Sequence, residues 1–146
     1  MQQKHVVLGL IFLKYISDKF EEKYNELVEE GEGFEEDIDE YESENIFFVP
    51  PKARWGEIYK HAHEEDNGII IDEAMGEIEK ENPTLKGILP KTFSRPELDK
   101  SKLGKVIDLF SIVEWPRWYS LLIVLKLRIL LILSYNEKLY ICILML

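Results

Sequence analysis

Apolar residues at Val6, Leu10, Leu13, Ile16 and Phe20 recur at the spacing of one helix face. Val7, Leu8, Ile11 and Phe12 widen that surface almost all round, so the pattern predicts a helix over 5–29 buried within a bundle. After Ser17 the helix turns amphipathic, and Gly31 and Gly33 supply a stop. Residues 32–44 read as loop. The run Ile-Phe-Phe-Val at 46–49 is halted by Pro50 and Pro51 and reads as an extended anchor or a short strand. A second helix is expected over 53–64, with Trp55, Ile58, Tyr59 and Ala62 on one side. Asp66, Asn67 and Gly68 interrupt that pattern and suit the cap of a third helix over 69–81. Ile70, Ile71, Ala74, Met75 and Ile78 would point inward there, and Asn82-Pro83 would end it. Residues 85–96 contain Gly87, Pro90 and Pro96 and read as a loop with the apolar pegs Ile88, Leu89 and Phe93. A last helix starts near Asp99 and uses Leu103, Val106, Ile107 and Phe110. The fold class this implies is mostly α: a small helical bundle of about four helices with long loops, without the strand–helix alternation of a doubly wound sheet.

The character changes after Ser111. Trp115-Pro-Arg-Trp-Tyr119 leads into a run rich in leucine and isoleucine at 121–133, and a second apolar run follows at 139–146. No uninterrupted apolar stretch reaches about 18 residues, the length a spanning helix needs, and Lys126 and Arg128 sit in the middle of the longer run. Three readings stand for this apolar C-terminal tail, 112–146. It is a product of a shifted reading frame, a membrane-associating hairpin, or a packed helix particular to this chain.

A chain of 146 residues is long enough for one domain with a real core. Its net charge of −10 is unevenly spread. Residues 21–44 hold thirteen acidic side chains and one basic, Lys23, whereas 84–105 hold six basic and two acidic. An acidic chain is a poor freestanding DNA binder, because lysine and arginine contacts to phosphate supply most non-specific affinity. Inside a larger basic assembly that objection lapses. The acidic stretch reads as a solvated surface or as a docking surface for a basic partner. The single cysteine, Cys142, forbids an intrachain disulfide and fits folding in the cytoplasm. Met-Gln-Gln-Lys-His does not open a signal peptide.

Candidate binding residues are Lys86, Lys91, Arg95, Lys100, Lys102 and Lys105, which surround a proline-rich loop and a helix start. That setting suits a phosphate backbone; ordinary surface lysines give the same pattern. Arg54 precedes Trp55 and suits either a carboxylate or DNA. Metal and nucleophile readings are weak. His61 and His63 are two apart, which sets them on opposite sides of a helix, and only His61 with Glu64 has a shared-face spacing. His5 opens a buried helix and reads as packed or capping. Cys142 has no neighbouring base or cation.

The run His5-Val-Val-Leu-Gly-Leu-Ile-Phe-Leu-Lys-Tyr-Ile-Ser-Asp-Lys-Phe-Glu-Glu22 carries a family likeness, and ordered blocks follow it. They are Glu44-Asn-Ile-Phe-Phe-Val-Pro50, Ala53-Arg-Trp55, Ile71-Asp-Glu-Ala-Met75, residues 78–90 and residues 98–109. Together these resemble the N-terminal helical domain of the methylation (M) subunits of type I restriction–modification systems. Those subunits are adenine-N6 DNA methyltransferases using S-adenosylmethionine. The likeness runs over 1–111 and stops at the tail, and its start looks clipped, since the family normally has another helical segment before this point.

The resemblance implies a domain that helps enclose DNA and packs against the catalytic domain and neighbouring subunits. The expected partners are a specificity subunit, a second M subunit and a motor-nuclease subunit. The chemistry itself would need a cofactor loop of Phe-x-Gly-x-Gly type and an Asn-Pro-Pro-aromatic motif. Neither stands in this sequence: Asn82-Pro83-Thr84 lacks the second proline and the aromatic, and Gly31-Glu-Gly33 follows a helix rather than a strand. The chain is therefore expected to be inactive alone, with no catalytic, cofactor or metal residue assigned, S-adenosylmethionine belonging to the intact family. The alternatives are a non-catalytic interaction protein and a small membrane-associated protein anchored by 121–146.

Overall fold

The computed structural model describes residues 2–112, with side chains from Val6 onward. Five α-helices lie in order: α1 Gln2–Glu30, α2 Ile38–Glu42, α3 Trp55–Lys60, α4 Asn67–Glu81 and α5 Lys100–Ser111. Two 3-10 turns, Pro51–Ala53 and Pro83–Leu85, follow proline stops. No strand occurs among the described residues. The mostly α expectation therefore holds, and α2 is added to it. The readings made for the tail, Cys142 and the His5 side chain fall outside the described residues.

Helix α1 is the axis of the bundle. Leu10, Phe12, Leu13, Ile16 and Phe20 are buried, and α3 and α5 pack along it. It stops where Gly31 takes φ of 73° and its N–H bonds back to the Leu27 carbonyl at 3.2 Å. The acidic stretch expected to be loop contains α2. Asp37 caps it, its carboxylate accepting from the Asp39 N–H, and its fully buried Tyr41 plugs it into the core. Composition hid this helix, because one aromatic residue among acids carries the burial.

The expected helix over 53–64 is shorter. It is α3, and residues 61–66 form a turn packed under α5. Tyr59 is half exposed rather than inward, whereas Trp55, Ile58 and Ala62 are buried. The Trp55 backbone N–H donates to Ser17 Oγ at 2.7 Å, and its indole donates to Ser111 Oγ at 2.8 Å. Trp55 thus ties α1, α3 and the end of α5 together. Helix α4 buries Ile71, Ala74, Met75 and Ile78, and α5 buries Leu103 and Ile107 while Val106 and Phe110 are partly covered.

Helix α4 begins at Asn67 rather than 69, its N-cap Asp66 makes no side-chain capping bond, and Asn67 and Asn82 act instead as links between segments. The Asn67 amide donates to the Ala62 carbonyl at 2.8 Å and the Lys100 carbonyl at 3.0 Å, joining the turn to α5. The Asn82 side chain accepts from the Phe48 N–H at 3.0 Å and donates to the Phe48 carbonyl at 2.8 Å. It plays the part of a neighbouring strand. The apolar run at 46–49 therefore stays extended and buried without a sheet.

The loop after α4 enters the core. Leu85, Leu89 and Phe93 are buried. Two glycines make room for it. A Cβ on Gly9 would lie 2.9 Å from Pro90 Cγ, and one on Gly68 would lie 2.1 Å from the Phe93 carbonyl oxygen. Gly56 and Gly76 differ, since nothing lies within 4 Å of a Cβ built there. The substitution Gly68→Ala is thus expected to destabilise the fold by at least about 2 kcal/mol, because backbone must move to admit the methyl. Gly56→Ala and Gly76→Ala should each stabilise it by about 0.5–1 kcal/mol through helix propensity alone. Urea unfolding followed by far-ultraviolet circular dichroism reads all three.

Candidate nucleic-acid and subunit interface

The domain has two charged regions of opposite sign. The acidic one comprises the end of α1, α2 and the residues between them. It is held by two cations, one from its own stretch of α1 and one that reaches it from the segment before α3. Lys23, almost wholly buried, donates to Glu44 Oε1 at 2.7 Å. That hydrogen bond holds the Lys23 ammonium above its ordinary range.

The second cation is Arg54. Its Nε donates to the Val49 carbonyl at 3.2 Å, and one terminal nitrogen reaches both oxygens of Glu36 at 3.1 and 3.2 Å. Its guanidinium also lies over Phe20 at 4.7 Å and Tyr24 at 4.9 Å from the ring centroids. Beneath it Phe20 stacks on Tyr41 at 4.6 Å, with Phe48 edge-on at 5.2 Å from Phe20. The Tyr41 hydroxyl donates to the Glu35 carbonyl at 2.5 Å. Arg54 is thus engaged on every side by its own chain.

The basic region spreads over the loop after α4 and the start of α5. Its six candidates divide by what they touch. Lys91 donates to Glu79 Oε2 at 2.7 Å, a carboxylate buried against α4. The Lys100 ammonium donates to the Phe93 carbonyl at 2.6 Å and the Arg95 carbonyl at 3.2 Å. Lys86, Arg95, Lys102 and Lys105 are exposed, and their side chains enter no ion pair or hydrogen bond among the described residues. Asp99 caps α5, its carboxylate accepting from the Ser101 and Lys102 N–H groups at 2.9 and 3.2 Å. That helix N-terminus is therefore occupied by the chain's own carboxylate.

The HsdM N-terminal domain family matches residues 1–110. The chain belongs to that family. A curated relative, the type I restriction enzyme MjaIX methylase subunit of Methanocaldococcus jannaschii, is 32% identical over 126 residues. The match takes in 75% of this chain and 23% of the relative, so the chain spans under a quarter of that protein's length.

The matched span contains every candidate residue described above. His61 Nδ1 lies 2.9 Å from Glu64 Oε1, as the spacing suggested, in the turn after α3. His63 turns away to Asp108 on α5, with Nε2 at 2.9 Å from Oδ2. No group of three or more metal-ligating side chains occurs among the described residues. No helix among them is long and apolar enough to cross a membrane. Asn82-Pro83-Thr84 closes α4, and Gly31 and Gly33 form an exposed turn after α1, both at positive φ. The residue that sequence reasoning missed is Asp72. Its two oxygens accept from the Phe93 and Ser94 N–H groups at 3.0 and 2.9 Å. Those partners lie more than twenty positions away, and no local pattern marks the link.

The acidic region yields a pH test. Burial pushes the Tyr41 hydroxyl up to about 12 from its ordinary value of 10. Because the folded state holds this proton more tightly, stability is fully present below pH 10 and falls as pH rises towards 12. The raised Lys23 acts in the same direction. Burial also raises the Tyr15 hydroxyl, so absorbance at 295 nm during alkaline titration should show more than one tyrosine ionising late, Tyr41 among them, together with loss of helix. Tyr41→Phe should diminish that late change. A late change undiminished by the substitution would place it on other tyrosines.

Proposed function

We propose that residues 1–111 serve as the N-terminal helical domain of a type I methylation subunit, contributing DNA enclosure and subunit contacts to S-adenosylmethionine-dependent adenine-N6 methylation. The observation that carries this reading is the family match over 1–110, which takes in the whole described bundle. The chain by itself is inactive on this reading, since neither a cofactor loop nor an Asn-Pro-Pro-aromatic motif stands in its sequence. The relative from Methanocaldococcus jannaschii, a methylase subunit of a type I restriction enzyme, supports the same assignment. A specificity subunit, a second methylation subunit and a motor-nuclease subunit are the partners it implies.

The division of the cations supports a contact surface made of Lys86, Arg95, Lys102 and Lys105. These four have charge to give to phosphate without breaking an internal bond. Arg54, Lys91 and Lys100 serve first to hold the domain together. The acidic region points the opposite way electrostatically and would repel a phosphate backbone, so it would face solvent or protein.

The test is complementation in a purified system. The chain is mixed with S-adenosylmethionine carrying a labelled methyl group, DNA containing a cognate site, the specificity subunit and a methylation subunit lacking the matched block. Label should enter adenine only when every protein is present, and the chain alone should give none. Methylation by the chain alone would refute the inactivity. Failure of the chain both to restore methylation and to co-purify with the other subunits would refute the assignment.

A further inference from the structure

Arg95 is exposed, yet the backbone beneath it is held by two charged side chains. Asp72 accepts from the N–H groups of the two residues before it, Phe93 and Ser94. Lys100 donates to the carbonyls of Phe93 and of Arg95 itself. Phe93 is fully buried, and Gly68 lets that stretch lie against the start of α4. Four hydrogen bonds from two charged side chains and one buried aromatic ring thus fix residues 93–95. Burial of Phe93 itself calls for these bonds, and one consequence is that Arg95 projects from held backbone, whereas loops are commonly the most mobile parts of a domain.

The geometry points to Arg95 as a preorganised anchor for a nucleic-acid phosphate, with Asp72 and Lys100 as its positioning residues. This rests on the DNA-contact reading above and deepens it. A guanidinium presents a planar fork that takes two phosphate oxygens at once, and the arrangement strengthens when its stem starts from a fixed backbone. Among the described residues nothing competes for that fork. Asp72 spends both oxygens on backbone N–H groups, so its negative charge is turned towards the loop's interior bonds. Lys102 and Lys105 also stand on fixed backbone, in α5 behind the Asp99 cap, and with Lys86 they add positive charge, but none of the three carries a guanidinium fork. A phosphate is favoured over a protein carboxylate because four of the unpaired cations among the described residues fall within residues 84–105, while Lys52, exposed and without an ion pair or hydrogen bond, stands apart from them.

The experiment uses the full 146-residue chain and a short random-sequence duplex, with binding read by fluorescence anisotropy over a range of salt concentrations. Arg95→Ala should weaken binding about tenfold and lower the salt slope by about 0.9. Arg95→Lys should recover the slope but not the full affinity, because the fork is lost. Asp72→Ala should weaken binding about threefold in the native background and not at all in the Arg95→Ala background, which is the sign of a residue acting through Arg95. Lys100→Met, taken through the same cycle, provides a second route should Asp72→Ala fail to fold by circular dichroism.

Additive losses in these cycles would reduce Asp72 and Lys100 to general structural roles and overturn the positioning. Undiminished binding by Arg95→Ala, with loss in a Lys86, Lys102 and Lys105 triple alanine variant, would overturn the anchor while leaving the DNA reading in place. Equal binding by the native chain and a variant lacking all four cations would overturn both. Arg95-dependent binding of polyglutamate in place of the duplex would reassign the anchor to a protein carboxylate and overturn it for DNA.

Discussion

The bundle depends on bringing an irregular loop into its core between α1 and α4. A buried loop brings polar backbone groups with it, and each must find a partner. Gly9 and Gly68 admit the chain sterically, with Pro90 and Phe93 filling the space their side chains would take. Asp72 and Lys100 then satisfy the N–H and carbonyl groups of residues 93–95. Neither provision works alone. Space without hydrogen bonds leaves unsatisfied dipoles, and hydrogen bonds without space leave Phe93 outside. The same solution recurs at 46–49, where the Asn82 amide stands in for a strand. In this fold side chains repeatedly do what a sheet would do elsewhere.

The acidic region poses the opposite problem. Thirteen acidic side chains within residues 21–44 repel one another, and the local propensity is for a solvated loop. Order is imposed by a small number of groups at the inner edge. Tyr41 anchors α2 into the aromatic cluster, and Lys23 and Arg54 each bring one cation to one carboxylate. Both cations are largely covered by the bundle, so their attraction is screened less than that of an exposed pair. The other acids stay outward, where water solvates them. This explains how a chain of net charge −10 folds compactly and still leaves its basic segment available.

How much of this was legible in the sequence follows from how far each signal reaches. Helix α1 was readable to within a few residues, because its apolar period and glycine stop are local. So were the inward faces of α4 and α5, apart from Ile70, which is only partly covered, and the buried pegs Leu89 and Phe93. Helix α2 was missed because Tyr41 alone carries its burial, below what a period can reveal. The end of α3 was placed too late because the turn at 61–66 is imposed by α5, with Gly104 lying against the Ala62 carbonyl. The basic candidates were found by charge, but their division was invisible. Whether a lysine faces solvent or a carbonyl depends on partners such as Glu79 and Phe93, which only the folded chain brings near. Asn67 and Asn82 read as a cap and a stop and proved to be bridges between segments.

That division also constrains what the interface can become. Lys91 is the hydrogen-bond partner of Glu79, whose other oxygen is buried and unpartnered among the described residues. Swinging Lys91 out to a phosphate would strand a buried carboxylate, which offsets what the new contact returns even though Lys91 itself is half exposed. Lys100 is held in the same way, because its departure would leave the carbonyls of Phe93 and Arg95 without their donor and loosen the loop it supports. Arg54 would give up Glu36, the Val49 carbonyl and two aromatic faces. The bonds that make these three cations useful to the fold are what take them out of competition for DNA. Lys86, Arg95, Lys102 and Lys105 face no such penalty, and of these Arg95 alone carries a planar fork, on backbone that Asp72 and Lys100 hold.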